Sequence, residues 1–165
     1  MRWLIDGYNV IRRDPDLRAR EGESLEAGRM ALLTLVSRVA RDLPDAFTVV
    51  FDGARRTGGD PGGGRVQVIF SRPPASADDE LRRLAAAVRE GAVVVSSDRA
   101  VQDAARRAGA VAVSAEAFLE AVESTPDEGD EDPDDVEDEP RRGPSHRRSR
   151  EARAAERVLR RLRNR

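Results

Sequence analysis

The chain reads as an α/β domain built around a largely parallel sheet. Strand and helix signals alternate through its first 123 residues, as they do where strands are joined by crossover helices. Three strand patterns run directly into an aspartate: Arg2-Trp3-Leu4-Ile5 into Asp6, Phe47-Thr48-Val49-Val50-Phe51 into Asp52, and Val93-Val94-Val95-Ser96-Ser97 into Asp98. A fourth acidic site, Asp78-Asp79, opens a helix just after another strand pattern. If the strands are parallel, these carboxylates gather at one edge of the sheet, where open α/β folds place their ligands. Like charges do not crowd together without a cation or a shifted pKa, so the pattern points to a metal site.

The expected strands are residues 2–6, 46–52, 65–71, 92–97 and 110–113. Between the first two, Ser24 can cap a long helix from 25 to about 41, with Leu25, Gly28, Leu32, Leu35, Val36 and Val39 on one face. Ser76 and Asp79 form an acidic version of the capping box, ahead of a helix whose Leu81, Leu84, Ala85 and Val88 face the sheet. Asp98 opens a helix that runs to about 108 and ends at Gly109, and Ser114 caps a short one through about 122. One connection resists this scheme. Residues 53–64 are too rich in Gly and Pro to be a crossover helix. Were the strand at 65–71 antiparallel, Asp78 would land at the wrong edge, so the metal reading commits to a parallel strand reached through a loop.

A length of 165 residues is that of about one domain, and 39% hydrophobic residues suffice for a real core. With only 4% aromatics, that core is expected to be mostly Ala, Val and Leu. Cysteine is absent, which removes disulfides, thiolate nucleophiles and Cys-type metal sites. The single histidine, His146, sits in a charged tail, so no His-centred triad belongs to the folded part. All 29 basic residues are arginines, which excludes a P-loop lysine or a Schiff base. No run of apolar residues is long enough for a membrane span and no secretory leader is visible, so no membrane association and a cytoplasmic location are expected.

The net charge of -2 hides an asymmetry in the tail. Residues 124–140 carry 10 acids and no base, whereas residues 141–165 carry 11 arginines against 2 acids. The expected organisation is therefore a folded domain over 1–123, a disordered acidic linker over 124–144 and an Arg-rich C-terminal helix over 145–165. Within that last segment Ala155, Val158, Leu159 and Leu162 make a narrow apolar stripe, which is marginal alone and is expected to dock on the domain or on a partner.

Without Cys, Lys or a usable His, the route open to phosphodiester hydrolysis is a water activated by Mg²⁺ or Mn²⁺, the ions being held by carboxylates. Asp6 and Asp98 follow neighbouring central strands and are the first candidates as ligands, joined by Asp78 in the first turn of its helix and by Asp52. Each has an ordinary structural role as well. Asp6-Gly7 and Asp52-Gly53 are turn pairs, Asp98 is a good N-cap, and Asp78 and Asp79 suit a helix N-terminus. It is the coincidence across four elements that favours a site.

The ordered set Leu4-Ile5-Asp6-Gly7-Tyr8-Asn9, Val49-Val50-Phe51-Asp52-Gly53, Ser76-Ala77-Asp78 and Ser96-Ser97-Asp98 resembles the YacP-like branch of the NYN domain family, within the PIN-like metal-dependent ribonucleases. The resemblance covers residues 1 to about 122 and does not explain the polyacidic linker. It implies a PIN-like three-layer α/β/α domain with a mainly parallel, roughly five-stranded sheet, a Mg²⁺ or Mn²⁺ site, and endonucleolytic cleavage of single-stranded RNA. By position, Asp6, Asp78 and Asp98 match the family's acidic cluster, with Asp52 contributing or supporting. Asn9 either orients a ligand or substrate phosphate or closes an Asx turn. Which of Asp78 and Asp79 points into the site stays open.

Arg12, Arg13, Arg55, Arg56 and Arg99 all follow strand-end motifs and are candidate RNA-phosphate contacts. Tyr8 either stacks on a base or packs beneath the loop. The glycine-rich stretch from Gly58 to Gly64 lacks the residues of a phosphate cradle and reads as a flap beside the cleft. The arginines of 141–165 are a second candidate surface for RNA, mRNA or the ribosome. The competing class is a noncatalytic RNA-binding or ribosome-associated module with the same fold. A haloacid-dehalogenase-type phosphatase is disfavoured because Tyr8 stands where its second aspartate belongs, and a receiver domain because there is no lysine.

Overall fold

The computed structural model describes residues 1–53, 65–124 and 144–165, the last segment with side chains from 150 onward. Strands β1 (Arg2–Asp6), β2 (Ala46–Phe51), β3 (Val66–Phe70), β4 (Ala92–Val95) and β5 (Val111–Val113) form one sheet in the order β3-β2-β1-β4-β5. Every pairing is parallel. The helices among the described residues are α1 (Gly7–Ile11), α2 (Pro15–Glu23), α3 (Leu25–Asp42), α4 (Ala77–Val88), α5 (Arg99–Arg107), α6 (Ala115–Glu123) and α7 (Pro144–Arg163). The parallel commitment is met at β3, where Phe70 lies opposite Phe51 on β2. The connection that resisted a helix, and with it the expected flap, lies outside the described residues.

The sheet separates two apolar layers because side chains alternate across each strand. Trp3 and Ile5 of β1, Phe47, Val49 and Phe51 of β2, and Val93 and Val95 of β4 join one layer, under α1, α2, α3, α6 and α7. Leu4, Val50, Val94 and Ala92 enter the other, under α4 and α5. The two layers follow from handedness. The chain moves from β1 to β2 in one direction and from β3 to β4 to β5 in the opposite one, so right-handed crossovers place their helices on opposite faces. The larger layer holds the buried aromatics: Trp3, Phe47, Phe51 and Phe118 are all fully buried there, and Trp3 stacks on Phe47 with centroids 6.0 Å apart. The core expected from composition, mostly Ala, Val and Leu, is found in both layers.

Two helices, α1 and α2, stand where no element was expected. Helix α1 is only five residues long and has no apolar period to read, while α2 buries Leu17 alone. The second did carry a local signal, an Asp14 cap that accepts from the Leu17 amide at 2.8 Å with Pro15 in the first turn. Asp6-Gly7 is not a turn pair. Asp6 caps α1 and Gly7 is its first helical residue, seated where a Cβ would stand 2.2 Å from Cε1 of Phe51.

The C-terminal stripe docks on the domain itself. Val158, Leu159 and Leu162 of α7 belong to the larger apolar layer, and Leu162 is completely buried. Polar contacts fix the docking at the amino edge of the sheet. Asp45, 2% exposed, accepts from the Met1 ammonium at 2.8 Å, Trp3 Nε1 at 3.1 Å and Arg161 at 3.1 Å. Burial works to raise the Asp45 pKa, but the bonds from Met1 and Trp3 and the charge of Arg161 outweigh it and hold it below the usual value. Arg165 donates to the carbonyls of Leu162 at 2.6 Å and Val122 at 2.6 Å. Arg161 of the basic helix and Arg165 just beyond it are thus committed to the fold.

Candidate active site

The carboxyl ends of β1 and β4 form the divide in the sheet, because the chain leaves β1 into α1 on one face and leaves β4 into α5 on the other. A crevice at such a switch point is where open α/β sheets bind ligands. Two side-chain hydrogen bonds cross it. Ser96 Oγ donates to Asp6 Oδ2 at 2.9 Å, and the Ser97 amide donates to Asn9 Oδ1 at 2.8 Å. Ser96 Oγ also accepts the Asp98 amide at 3.1 Å, so one hydroxyl links Asp6 and Asp98. The side-chain carbonyl oxygen of Asn9 thus ties α1 to the loop after β4 rather than closing a local turn.

Asp6 is 8% exposed, and burial is the main reason its pKa is pushed up to about 6. The bonds from Ser96 and the Asn9 amide oppose the shift, and the charges of Asp78 and Asp52 add to it. Asp78 is raised as well, chiefly by burial and then by the charge of Asp98, with Arg82 opposing and Asp52 and Asp79 adding. Four carboxylates from four elements thus feel one another at this edge.

The Asp78-Asp79 doublet divides its labour. Asp79 is exposed and turned back onto Ser76, completing the capping box, and its pKa is lowered by those bonds. Asp78, one residue earlier, is the member that the other site carboxylates perturb. Asp52 supports the site through the backbone, accepting from Ser71 Oγ at 3.0 Å and from the Ala77 amide at 2.6 Å. That fastens the start of α4 to the ends of β2 and β3. Asp98 is the N-cap of α5, accepting from the Ala100 amide at 2.7 Å and the Val101 amide at 3.1 Å.

The expected substrate contacts separate into groups. Arg12 and Arg99 are exposed near the site, at the end of α1 and the start of α5. Arg13 turns away to pair with Glu116 at 3.1 Å. Glu116 also accepts from Ser97 Oγ, and that bond leads the causes holding its pKa down. Arg55 and Arg56 lie outside the described residues. Tyr8 is half-buried, its ring packed edge-on against Phe51 at 5.2 Å and its hydroxyl accepting from Arg29 Nε at 2.8 Å. Arg29 and Ser71 in these contacts were not anticipated, because nothing local in the chain marks them: each reaches the site from a separate element.

Comparisons with known proteins establish the family and the fold. The family model described as the YacP-like NYN domain matches residues 3–164. The chain belongs to the YacP-like NYN domain family. It is 32% identical over 126 residues to YacP of Bacillus subtilis (strain 168), covering 73% of this chain and 74% of that protein. The crystal structure of Rae1 (YacP) from Bacillus subtilis superposes with a TM-score of 0.65 at 31% identity, covering 74% of each chain. A mutant of the same protein gives a TM-score of 0.63 at 30% identity. The family match runs through α7, beyond residue 122, near which the resemblance was expected to end.

NYN domains are typically nuclease-type, RNA-related domains, and generally depend on a divalent metal. The donor chemistry of this NYN site fits such an ion, since it consists of carboxylate oxygens whose charges oppose one another. Among the described residues no three acidic or histidine side chains converge tightly enough to hold a metal ion. Each of three carboxylates has a partner within the protein, Asp6 in Ser96, Asp52 in Ser71 and Ala77, and Asp98 in the first turn of its own helix. No described helix is long and apolar enough to cross a membrane.

Proposed function

We propose that this protein is a metal-dependent endoribonuclease that cleaves single-stranded RNA, acting in the cytoplasm on mRNA or on RNA associated with ribosomes. The observation that carries this reading is the coupled set of Asp6, Asp52, Asp78 and Asp98 at the switch point of a parallel sheet. Asp6, Asp78 and Asp98 are assigned as the residues that hold Mg²⁺ or Mn²⁺. When bound there, the ion supplies an activated water and neutralises charge on the scissile phosphate.

The remaining roles belong to the chain itself. Asp52 places the first turn of α4, and with it Asp78. Asn9 has its carbonyl oxygen engaged by Ser97, which leaves its amide hydrogens to donate to a phosphate oxygen. Ser96 aligns Asp6 relative to Asp98. Arg12 and Arg99 flank the carboxylates from opposite sides of the divide and hold the RNA backbone.

The test is cleavage of an unstructured RNA in Mg²⁺ or Mn²⁺ by the wild type, Asp6→Asn and Asp98→Asn, with EDTA as control. Loss of cleavage in both variants and in EDTA is the expected result, and equal activity in all three proteins refutes the assignment. A second reading, an RNA-binding module without catalysis, draws on the lack of such a converged group among the described residues. Divalent-metal titration separates the two, since the module's RNA affinity would not depend on the ion.

A further inference from the structure

Arg29 is the most unusual cation among the described residues. It projects from the second turn of α3, and its guanidinium carbon lies 5.6 Å from the ring centre of Tyr8, 5.9 Å from that of Phe51 and 5.3 Å from that of Phe70. Those rings belong to three different elements at the carboxyl edge of the sheet. Tyr8 lies two residues after Asp6, Phe51 immediately precedes Asp52, and Phe70 ends β3. The guanidinium is thus held beside the edge that bears the carboxylates, on the face covered by α3.

The group is half-buried, yet no acidic side chain pairs with it among the described residues. Its one hydrogen bond there uses Nε, on the Tyr8 hydroxyl at 2.8 Å. That bond and the rings fix the fork while leaving both terminal nitrogens to donate elsewhere. Ring faces compensate part of the desolvation of a cation, but an anion compensates more. Packing alone would be served by a methionine, which has similar reach and no charge. A preorganised fork with two free nitrogens matches the geometry of a phosphate.

We propose that Arg29 is a phosphate-binding residue, receiving a backbone phosphate of the RNA strand that crosses the carboxylate edge. This rests on the reading of RNA as substrate and adds a residue that no strand-end motif contains. Tyr8 is then a positioning residue, holding the guanidinium rather than stacking on a base.

The experiment is fluorescence anisotropy of a labelled, unstructured oligoribonucleotide in EDTA, over a series of salt concentrations, with the full chain. Arg29→Met should bind about tenfold more weakly, as expected for the loss of one charge-assisted hydrogen-bonding group. The slope of log affinity against log salt should fall by about 0.7, the release from one single-strand phosphate. Arg29→Lys should keep the slope and lose part of the affinity, because it retains the charge without the fork. Should Arg29→Met fail to fold, Arg29→Lys carries the test, with wild-type affinity overturning the proposal. An unchanged salt slope in a folded Arg29→Met, or a wild type that does not bind the oligonucleotide, overturns it as well. Cleavage by the wild type in Mn²⁺ is measured alongside. Cleavage with Arg29-independent binding defeats this proposal alone, whereas Arg29-dependent binding without cleavage defeats the nuclease reading alone.

Discussion

Replacing Asp6 by asparagine should stabilise the metal-free protein at neutral pH, although Asp6 is one of the carboxylates proposed to hold the metal. In the fold its pKa is about 6, mainly through burial, against an ordinary value of 3.8. A group whose folded pKa is raised binds a proton more tightly in the native state, so stability is greatest below the ordinary value. It falls as pH rises from about 4 to about 6, and above that window the loss amounts to about 3 kcal/mol. Asparagine avoids the loss and can keep the local bonds. Its carbonyl accepts the Asn9 amide, and its amide donates to Ser96 Oγ, which already takes the Asp98 amide on its other lone pair. Urea denaturation of both proteins in EDTA, at several pH values from 4 to 8, measures the difference. The two stabilities should converge near pH 4 and separate with rising pH, with the variant the more stable. Adding Mg²⁺ or Mn²⁺ should restore stability to the wild type and not to the variant. Parallel pH profiles for the two proteins would refute the burial account of Asp6.

Two further outcomes test the scaffold around the site. Gly7→Ala places a Cβ 2.2 Å from the ring of Phe51, itself fully buried and unable to retreat, and should destabilise the fold by about 3 kcal/mol in chemical denaturation. Leu162→Ala removes the most deeply buried side chain of α7 and should cost about 3 kcal/mol. Amide exchange would report it as lost protection in α7 and α6, whereas unchanged protection would mean that the helix docks mainly through Asp45 and Arg165.

Much of the architecture was legible because its signals are local. Strand patterns of Val, Ile and Phe, serine and aspartate caps, and the spacing of Leu81, Leu84, Ala85 and Val88 each report a short segment in its own geometry. The same holds for the α7 stripe, whose Val158, Leu159 and Leu162 are buried as expected. Helix α1 escaped because five residues leave no period to detect. The Asp-Gly-Tyr-Asn motif was visible, but its logic was not: Gly7 yields to Phe51, Tyr8 holds Arg29, and Asn9 holds the β4 loop, and every one of those partners is distant in the chain.

The chain by itself determined all five strands, every helix from α3 onward and what chemistry is open to them, since propensity, capping and the absence of Cys, Lys and a usable His are properties of composition and short range. It also placed aspartates at the ends of strands. Only the tertiary structure decided that those strands are all parallel, that Asp78 rather than Asp79 joins the others, and that Asp6 is buried enough for its pKa to approach neutrality. Desolvation and Coulomb coupling depend on distances between segments far apart in sequence, and the packing of helices on two faces of the sheet sets those distances.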